Sequence, residues 1–160
     1  MLASLRQAPP YIPREVPAAP LVDEVLRRAT DEMRAAGREL SIDVPGHVPQ
    51  TLSCDAKYLS RALANVMRNA VRYAKGKVVL TVERTGSRTV ISVDDDGPGV
   101  PPAERDRLFE PFARQEGSRG RESGGVGLGL AIVRSVAEWH GGEAHISDSP
   151  LGGARVSISW

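Results

Sequence analysis

The sequence predicts a two-layer α/β sandwich, in which about three helices pack on a mixed sheet of about five strands. Apolar residues recur at helical spacing in three long segments of the chain. The segments between and after them alternate apolar and polar residues, as half-buried strands do. At 160 residues the chain is long enough for one domain with a single core.

The first half of the chain predicts a helix followed by two short strands. The helix is expected after Pro20, over residues 21–37, because apolar residues recur at helical spacing and Gly37 provides a stop. The two strands are expected within residues 39–45 and 48–54, where apolar and polar residues alternate.

A second helix is predicted over residues 56–74, because Asp55 stands at an N-cap position and an apolar stripe follows it. Residues 77–96 form two alternating runs around Gly86-Ser87, which predicts a β-hairpin. The remaining elements are a short helix at 102–108, a mobile loop at 113–125, a helix at 126–140 and two final strands.

The composition excludes several classes of protein. A net charge of +1 provides no field for nucleic acid or for an anionic membrane, and the single cysteine, Cys54, excludes an internal disulfide. No apolar run reaches the roughly 18–20 residues of a membrane span, so a soluble, intracellular chain is expected. Five prolines among the first twenty residues predict a linker over 1–19, with the domain at 20–160.

The stretch "ESGGVGLGLAIV", residues 122–133, places several glycines directly before an apolar helix. Glycines at such a position bring backbone N–H groups close to an anion. The dinucleotide fingerprint fails because Leu130 stands where it requires glycine, and no Gly-Lys-Ser/Thr of a P-loop occurs. Taken alone, the stretch is as consistent with a flexible helix entry as with a phosphate site.

A second group of candidate residues lies on the 56–74 helix. Asn65, Asn69 and Arg72 share one face at positions i, i+4 and i+7. Asparagine is a poor helix former, and its neutral oxygen suits Mg²⁺ when phosphates supply the charge. Arg72 would reach a phosphate and Tyr73 would lie beside a base. The alternative is a surface face that contains two asparagines.

The stretch "DDDGPGV" at the end of the hairpin is a third candidate. Strand alternation points Asp95 away from the side of Asp94 and Asp96, and Gly97 and Gly99 permit a tight turn close to a ligand. An inward carboxylate is a suitable acceptor for an exocyclic amine such as that of adenine. A two-metal cluster is disfavoured because alternate side chains diverge, and a plain turn stays as the alternative.

The stretch "LFEPFAR" precedes the predicted loop. Phe109 and Phe112, spaced i and i+3, are expected to anchor a lid to the core. Arg114, Arg119 and Arg121 would lie on that lid and clamp a phosphate. A solvated charge run is the alternative, and it is the favoured interpretation for Arg121.

In this order the four groups resemble the N, G1, F and G2 boxes of sensor histidine kinases, over residues 55–160. The tail "SPLGGARVSISW" resembles the RstB-type branch, whose members pair with OmpR-like response regulators. The resemblance implies the Bergerat ATP-binding fold of the gyrase, Hsp90 and MutL superfamily. It also implies that the cofactors are ATP and Mg²⁺ and that the γ-phosphoryl group is transferred to a histidine.

The resemblance assigns roles residue by residue. Asn69 resembles the Mg²⁺ ligand, with Asn65 beside it, Arg72 directed at phosphate and Tyr73 near adenine. Asp95 resembles the adenine-reading carboxylate. The other matched positions are Gly97, Gly99 and Val100 at the adenine pocket, Arg114 and Arg119 near the γ-phosphate, Phe112 at the lid base, and Gly125, Val126, Gly127, Leu128 and Gly129 at the phosphates.

The sequence lacks the acceptor motif of these kinases, since His47, His140 and His145 are not followed by Glu/Asp-Leu-Arg-Thr-Pro. The expected acceptor is therefore a separate dimerisation domain of a homodimeric parent kinase, with this chain a monomeric, cytoplasmic part of an inner-membrane sensor. Residues 1–19 are then the linker, with the end of a dimerisation helix. Three rivals stay open: a clamp ATPase, which carries glutamate where this chain has Asn65, an anti-sigma-factor kinase, and a non-catalytic nucleotide-sensing docking module.

Overall fold

The computed structural model describes residues 11–113 and 129–160. In chain order the elements are β1 (Arg14–Pro17), α1 (Ala18–Ala35), β2 (Ser41–Asp43), β3 (Thr51–Cys54), α2 (Ala56–Tyr73), β4 (Lys77–Thr85), β5 (Arg88–Asp95), the 3₁₀ helices Pro102–Glu104 and Arg107–Phe109, α3 (Gly129–Trp139), β6 (Glu143–Asp148) and β7 (Ala154–Ser159). No helix within these two ranges has the length and apolar character needed to cross a membrane.

The main sheet has five strands in the order β2-β4-β5-β7-β6. β2 pairs with β4 in parallel, and the other neighbouring pairs are antiparallel, so the sheet is mixed. β1 and β3 form a separate antiparallel pair. The predicted fold class, a two-layer sandwich with a five-stranded mixed sheet, is therefore confirmed.

The core lies between one face of this sheet and the helices. Along β5, Ile91 and Val93 are buried on the helix-covered face. Ser92 lies between them on the opposite face, where its hydroxyl is 3.2 Å from that of Ser157 on β7. This alternation means that neighbouring residues at the end of β5 also point to opposite faces of the sheet.

The strand β1 lies in the segment where the proline content predicted a linker. Its residues pair with β3, with Val16 opposite Leu52, and the following Ala18 is fully buried. Proline is tolerated here because Pro17 ends the strand, and the strand lies at the edge of its two-stranded sheet. α1 then begins at Ala18, three residues before the predicted start, because Pro20 occupies a first-turn position whose N–H has no helical partner.

Other boundaries differ less from the predicted ones. The hairpin turn at Gly86 has φ +63°, as predicted for its loop, and Thr85 lies opposite Arg88. The short helix predicted at 102–108 is two 3₁₀ turns. Beyond Ala113, the predicted mobile loop lies outside the described residues, as do positions 126–128 of the last predicted helix.

His140, at the end of α3, joins α3 to the start of α2. Its Nδ1 donates to the Val136 carbonyl at 2.7 Å, and its Nε2 accepts the backbone N–H of Asp55 at 3.1 Å. Asp55 is the N-cap of α2 and accepts from the Tyr58 N–H. The rings of Tyr11 and Trp160 pack edge-on against the imidazole. This arrangement requires a neutral imidazole, because an Nε2–H would meet another donor.

Stability should therefore depend on pH through His140, whose pKa is lowered, chiefly by burial and against the opposing effects of the Val136 carbonyl and the Asp55 charge. Below about pH 6.5 the His140 imidazole takes up a proton more readily in the unfolded chain than in the folded chain. The free energy of unfolding therefore falls as pH falls below that value. We expect His140→Gln to reduce the loss in the free energy of urea unfolding between pH 7.5 and pH 5.5.

His145→Gln is the matched control, because the His145 side chain on β6 is 61% exposed and lies 3.1 Å from the Glu143 carboxylate on the same strand. That variant should retain the wild-type pH dependence. If His140→Gln leaves the pH dependence of the unfolding free energy unchanged, the role assigned to the buried His140 imidazole is contradicted.

Candidate functional site

The predicted asparagine face lies on the second half of α2. Asn65, Asn69 and Arg72 are all half-buried, whereas Arg68 between them is exposed. Arg68 pairs with Glu32 of α1, with Nε–O distances of 3.0 and 3.2 Å. The helical periodicity that predicted a shared face is therefore correct, and the face is not a fully solvated surface.

Asn65 contains an unsatisfied polar atom. Its Nδ2 is buried without a hydrogen-bond partner among the described residues, and its Oδ1 is 3.5 Å from an Arg68 nitrogen. A buried amide without a partner costs free energy, and such exceptions are rare in folded proteins. The helix entry at Gly129 lies beside it, since a Cβ on Gly129 would be 3.8 Å from the Asn65 Cβ. The start of α3 thus meets the asparagine face.

The C-terminal end of α2 is held by a side chain from the α1–β2 connection. The guanidinium of Arg38 donates to the carbonyls of Val71, Arg72 and Ala74. The last carbonyls of a helix lack partners within the helix, and a cation at this end also compensates the helix dipole. Arg38 thereby fixes the last turn of α2, which carries Arg72 and Tyr73.

The three successive aspartates at the end of β5 have separate partners. Asp96 accepts the backbone N–H groups of Lys75 at 2.7 Å and of Gly76 at 3.1 Å, which joins β5 to the segment after α2. These backbone hydrogen bonds, above all that of Gly76, lower the pKa of Asp96. Asp94 forms a two-bond ion pair with Arg155 of β7, at 2.8 and 3.0 Å.

Asp95 points to the helix-covered face and is only 8% exposed. Its Oδ1 accepts the N–H of Gly97 at 2.9 Å and the N–H of Ala154 at 3.2 Å, and none of the described residues donates to its Oδ2. Burial raises the pKa of Asp95; the two backbone hydrogen bonds oppose this, and the charges of Asp96 and Asp94 add to it. Within residues 11–113 and 129–160, one carboxylate oxygen of the buried Asp95 therefore has no hydrogen-bond donor.

Two glycines enclose this carboxylate. A Cβ on Gly97 would lie 2.4 Å from the Tyr73 carbonyl oxygen, so the turn after β5 rests directly on the last turn of α2. A Cβ on Gly153 would lie 2.3 Å from the Asp95 Oδ1 and 2.6 Å from the Gly97 nitrogen. Only glycine fits at either position, and this close approach brings Tyr73 next to Asp95.

The loop after Gly97 is anchored on its other side. Gly99 has φ +75°, and a Cβ there would lie 3.5 Å from the Gly153 carbonyl oxygen. The half-buried Val100 accepts a hydrogen bond at its carbonyl from Arg105 Nε at 2.9 Å. Gly97, Gly99 and Val100 therefore lie in one loop next to Asp95, and their predicted place at the adenine pocket stays a prediction.

The two phenylalanines of the predicted lid base differ. Phe109 is buried, with the Arg134 guanidinium 4.5 Å from its ring centre, whereas Phe112 is 58% exposed. The expected shared packing of both rings on the core is wrong, because the 3₁₀ turn ends at Phe109 and Glu110 is extended before Pro111. Phe112 itself has φ +65°, an uncommon conformation for a bulky residue. Its role at the nucleotide stays a prediction.

Several predicted site residues lie outside the described part of the chain. They are Arg114, Arg119, Gly125, Val126, Gly127 and Leu128. Their predicted contacts with phosphate groups stay predictions.

The side chains at this site decide whether Mg²⁺ could bind here. Within residues 11–113 and 129–160, no three His, Cys, Asp or Glu side chains form a group that could hold a metal ion. The candidate donors on α2 are the neutral amides of Asn65 and Asn69. Such donors fit a Mg²⁺ ion that arrives with phosphate oxygens as its main ligands.

Sequence reasoning missed four residues that shape the site: Arg38, Gly153, Ala154 and Arg155. The tail that contains Gly152-Gly153 was used for its family resemblance and interpreted as a turn, although a second glycine next to a strand end also permits a close backbone approach. Arg38 has no sequence signal beyond a basic residue after a helix stop.

Comparison with known proteins places this site in a family. The model of the family described as "Histidine kinase-, DNA gyrase B-, and HSP90-like ATPase" matches residues 54–160. That range contains α2, the end of β5 and the start of α3.

Curated relatives include two sensor proteins of Escherichia coli K12. The chain is 42% identical over 143 residues to sensor histidine kinase CpxA, covering 89% of this chain and 31% of that protein. It is 44% identical over 117 residues to sensor protein RstB, covering 73% of this chain and 26% of that protein. The chain thus spans about a third or less of the length of these relatives.

Solved structures give the same assignment. Full-length ShkA in complex with AMPPNP has a TM-score of 0.80 at 29% identity, covering 98% of this chain and 33% of ShkA. The mycobacterial sensor histidine kinase MprB has a TM-score of 0.74 at 29% identity, covering 92% of this chain and 96% of the MprB chain. This chain belongs to the family of histidine kinase-, DNA gyrase B- and HSP90-like ATPases, and its relatives there are sensor histidine kinases.

Proposed function

We propose that this chain binds Mg-ATP and transfers the γ-phosphoryl group to a histidine on a separate dimerisation domain, for onward transfer to a response regulator. The observation that carries this proposal is the juxtaposition at the end of α2. There the turn after Asp95 rests on the Tyr73 carbonyl, about one helical turn beyond Asn69, and the Asp95 Oδ2 accepts no hydrogen bond from the described residues. The family match and the sensor kinase relatives support it.

Each residue of the site has its own proposed contact with Mg-ATP. Asp95 accepts the exocyclic amine of adenine at Oδ2, and Gly97, Gly99 and Val100 would lie beside the flat base. Tyr73 lies at the base side, and Arg72 is directed at the phosphates. Asn69, with Asn65 beside it, would hold Mg²⁺ through its amide oxygen. When bound, Mg²⁺ neutralises charge on the phosphate oxygens, and phosphoryl transfer depends mainly on such neutralisation and on positioning.

Asn65 distinguishes transfer to a protein from hydrolysis. A water-activating base at this position requires a carboxylate, as in the clamp ATPases, whereas a carboxamide has no useful basicity near neutral pH. The chain alone is therefore expected to hydrolyse ATP slowly. The nucleophile arrives on another domain.

The wider setting is part of the same proposal. The relatives CpxA and RstB are sensor proteins, so we infer an OmpR-like response regulator as the final acceptor and a homodimeric parent kinase. Because ATP is supplied in the cytoplasm, this domain would lie on the cytoplasmic side of an inner-membrane sensor. The near-neutral charge of +1 gives no indication of a nucleic-acid partner.

The binding step is tested by calorimetry with Mg-ATP on the wild type and on Asn69→Ala. We expect the wild type to bind with a micromolar-to-millimolar Kd that depends on Mg²⁺. Asn69→Ala should weaken Mg-ATP about tenfold or more, because a ligand of the metal is lost, while the thermal midpoint changes little. Arg61→Ala, at an exposed position on the same helix, is the matched control and should bind as the wild type does. Absence of Mg-ATP binding to the wild type would refute the proposed function.

A further inference from the structure

Arg155 lies directly opposite Asp94 in the β5–β7 register, on the face of the sheet away from the helices. Its guanidinium makes two nearly parallel hydrogen bonds to the carboxylate, from Nε to Oδ1 at 2.8 Å and from a terminal nitrogen to Oδ2 at 3.0 Å. Such two-bond pairing fixes geometry as well as charge. The pair has no place among the predicted nucleotide contacts, because it lies on the opposite face from Asp95.

The two residues before Arg155 both contact Asp95. The Ala154 N–H donates to the Asp95 Oδ1 at 3.2 Å, and the Gly153 N–H donates to the Asp95 carbonyl oxygen at 3.2 Å. Residues 153–155 thus hold Asp94 and Asp95 from both faces of the sheet. A shift of the start of β7 would move the two N–H groups that orient the Asp95 carboxylate.

The two members of the pair are buried unequally. The Asp94 side chain is 4% exposed and the Arg155 side chain is 37% exposed. Without Arg155, the Asp94 carboxylate would be a buried, uncompensated charge next to a second buried carboxylate. Without Asp94, by contrast, the guanidinium would still reach water. Loss of the arginine should therefore disturb Asp95 far more than loss of the aspartate.

We propose that Arg155 is a positioning residue for the adenine-reading carboxylate, acting through its ion pair with Asp94 to keep Asp95 oriented and its charge tolerated. This inference rests on the proposed function of Asp95. It assigns to Arg155 a part in base recognition from outside the nucleotide site.

The test measures the Kd for Mg-ATP and for inorganic tripolyphosphate by calorimetry, because tripolyphosphate has no base for Asp95 to contact. Arg155→Gln should weaken Mg-ATP roughly threefold to tenfold and leave tripolyphosphate unchanged. The double variant Asp94→Asn with Arg155→Gln should regain part of the ATP affinity, because no buried charge is left although the two-bond geometry stays lost. Asp94→Asn alone should change the ATP affinity less than Arg155→Gln does.

Arg84→Gln is the matched control, since it removes another arginine–carboxylate pair, that with Glu15 at 3.1 Å. Arg84 pairs in register with Thr89, six residues and roughly 20 Å along β5 from Asp95. It should leave both Kd values at the wild-type level.

The outcomes separate the two proposals. A wild type that binds no Mg-ATP overturns the proposed function and this inference together. If the wild type binds Mg-ATP, two results for Arg155→Gln overturn the inference alone. One is a wild-type Kd for Mg-ATP, and the other is an equal weakening of Mg-ATP and tripolyphosphate. If thermal melting shows that Arg155→Gln does not fold, Arg155→Lys replaces it. Lysine keeps the charge but loses the two-bond geometry, so an unchanged ATP-to-tripolyphosphate Kd ratio in that variant overturns the inference.

Discussion

Asp95→Asn should weaken Mg-ATP binding by at least about tenfold and leave the fold intact. The asparagine oxygen can still accept the N–H groups of Gly97 and Ala154, which both bond to Oδ1. Its Nδ2 then replaces Oδ2 and meets the adenine amine donor to donor, and an unmade buried hydrogen bond costs about 1–3 kcal/mol. Calorimetry with Mg-ATP and tripolyphosphate measures this effect.

The stability of the same variant provides an independent check. Burial raises the pKa of Asp95, so the folded chain at neutral pH holds a carboxylate that the unfolded chain ionises more easily. This residue therefore costs stability in full above its folded pKa, and the cost decreases as pH falls through that pKa and is absent below the unfolded pKa of about 3.9. Asp95→Asn should match or exceed the wild-type Tm at pH 7.5. Equal weakening of Mg-ATP and tripolyphosphate, or a large fall in Tm, would contradict the role of Asp95.

Gly153→Ala should damage both the fold and the site. The new Cβ would lie 2.3 Å from the Asp95 Oδ1, 2.5 Å from its carbonyl oxygen and 2.6 Å from the Gly97 nitrogen, so backbone on two sides must move. Overpacking of this kind costs about 1–3 kcal/mol. The movement displaces the carboxylate, and we expect Mg-ATP binding to fall below detection by calorimetry at millimolar nucleotide.

Gly76→Ala is the matched control for that substitution. Gly76 also lies near the aspartate turn, but its Cβ would meet only the Asp96 Oδ2, at 3.8 Å. Its backbone φ is not in the left-handed region. This variant should keep the free energy of unfolding within about 0.5 kcal/mol of the wild type. If the Gly153→Ala protein is as stable as the Gly76→Ala protein, the close packing at Asp95 does not restrict position 153 to glycine.

The predictable part of the site came from periodic local patterns. Helical spacing placed Asn65, Asn69 and Arg72 on one face, and strand alternation separated Asp95 from Asp94 and Asp96. Both rules follow from backbone geometry within a single element, so they need no knowledge of the rest of the chain. The fold class could be predicted from the order of helices and strands, because each of these elements is also recognised from its own local pattern.

The parts that sequence reasoning missed depend on contacts between distant segments. Arg155 meets Asp94 across 61 positions, and Arg38 reaches the end of α2 across more than 30. No local sequence pattern indicates a partner so distant along the chain. β1 was missed because its flanking prolines resemble a linker, although proline is tolerated at the ends of an edge strand. The i, i+3 interpretation of Phe112 failed because the helical turn it assumed ends at Phe109.

Transfer of phosphate to a histidine in trans is the most direct test of the proposed function. The chain is mixed with γ-³²P-ATP, Mg²⁺ and a separately expressed dimerisation hairpin from CpxA or RstB, and the products are separated on a gel at alkaline pH. We expect acid-labile label on the hairpin, which is lost when the hairpin histidine is replaced by glutamine, and little free phosphate from the chain alone. Label that appears only as free phosphate, at the same rate with and without the hairpin, would contradict the kinase assignment and identify an ATPase.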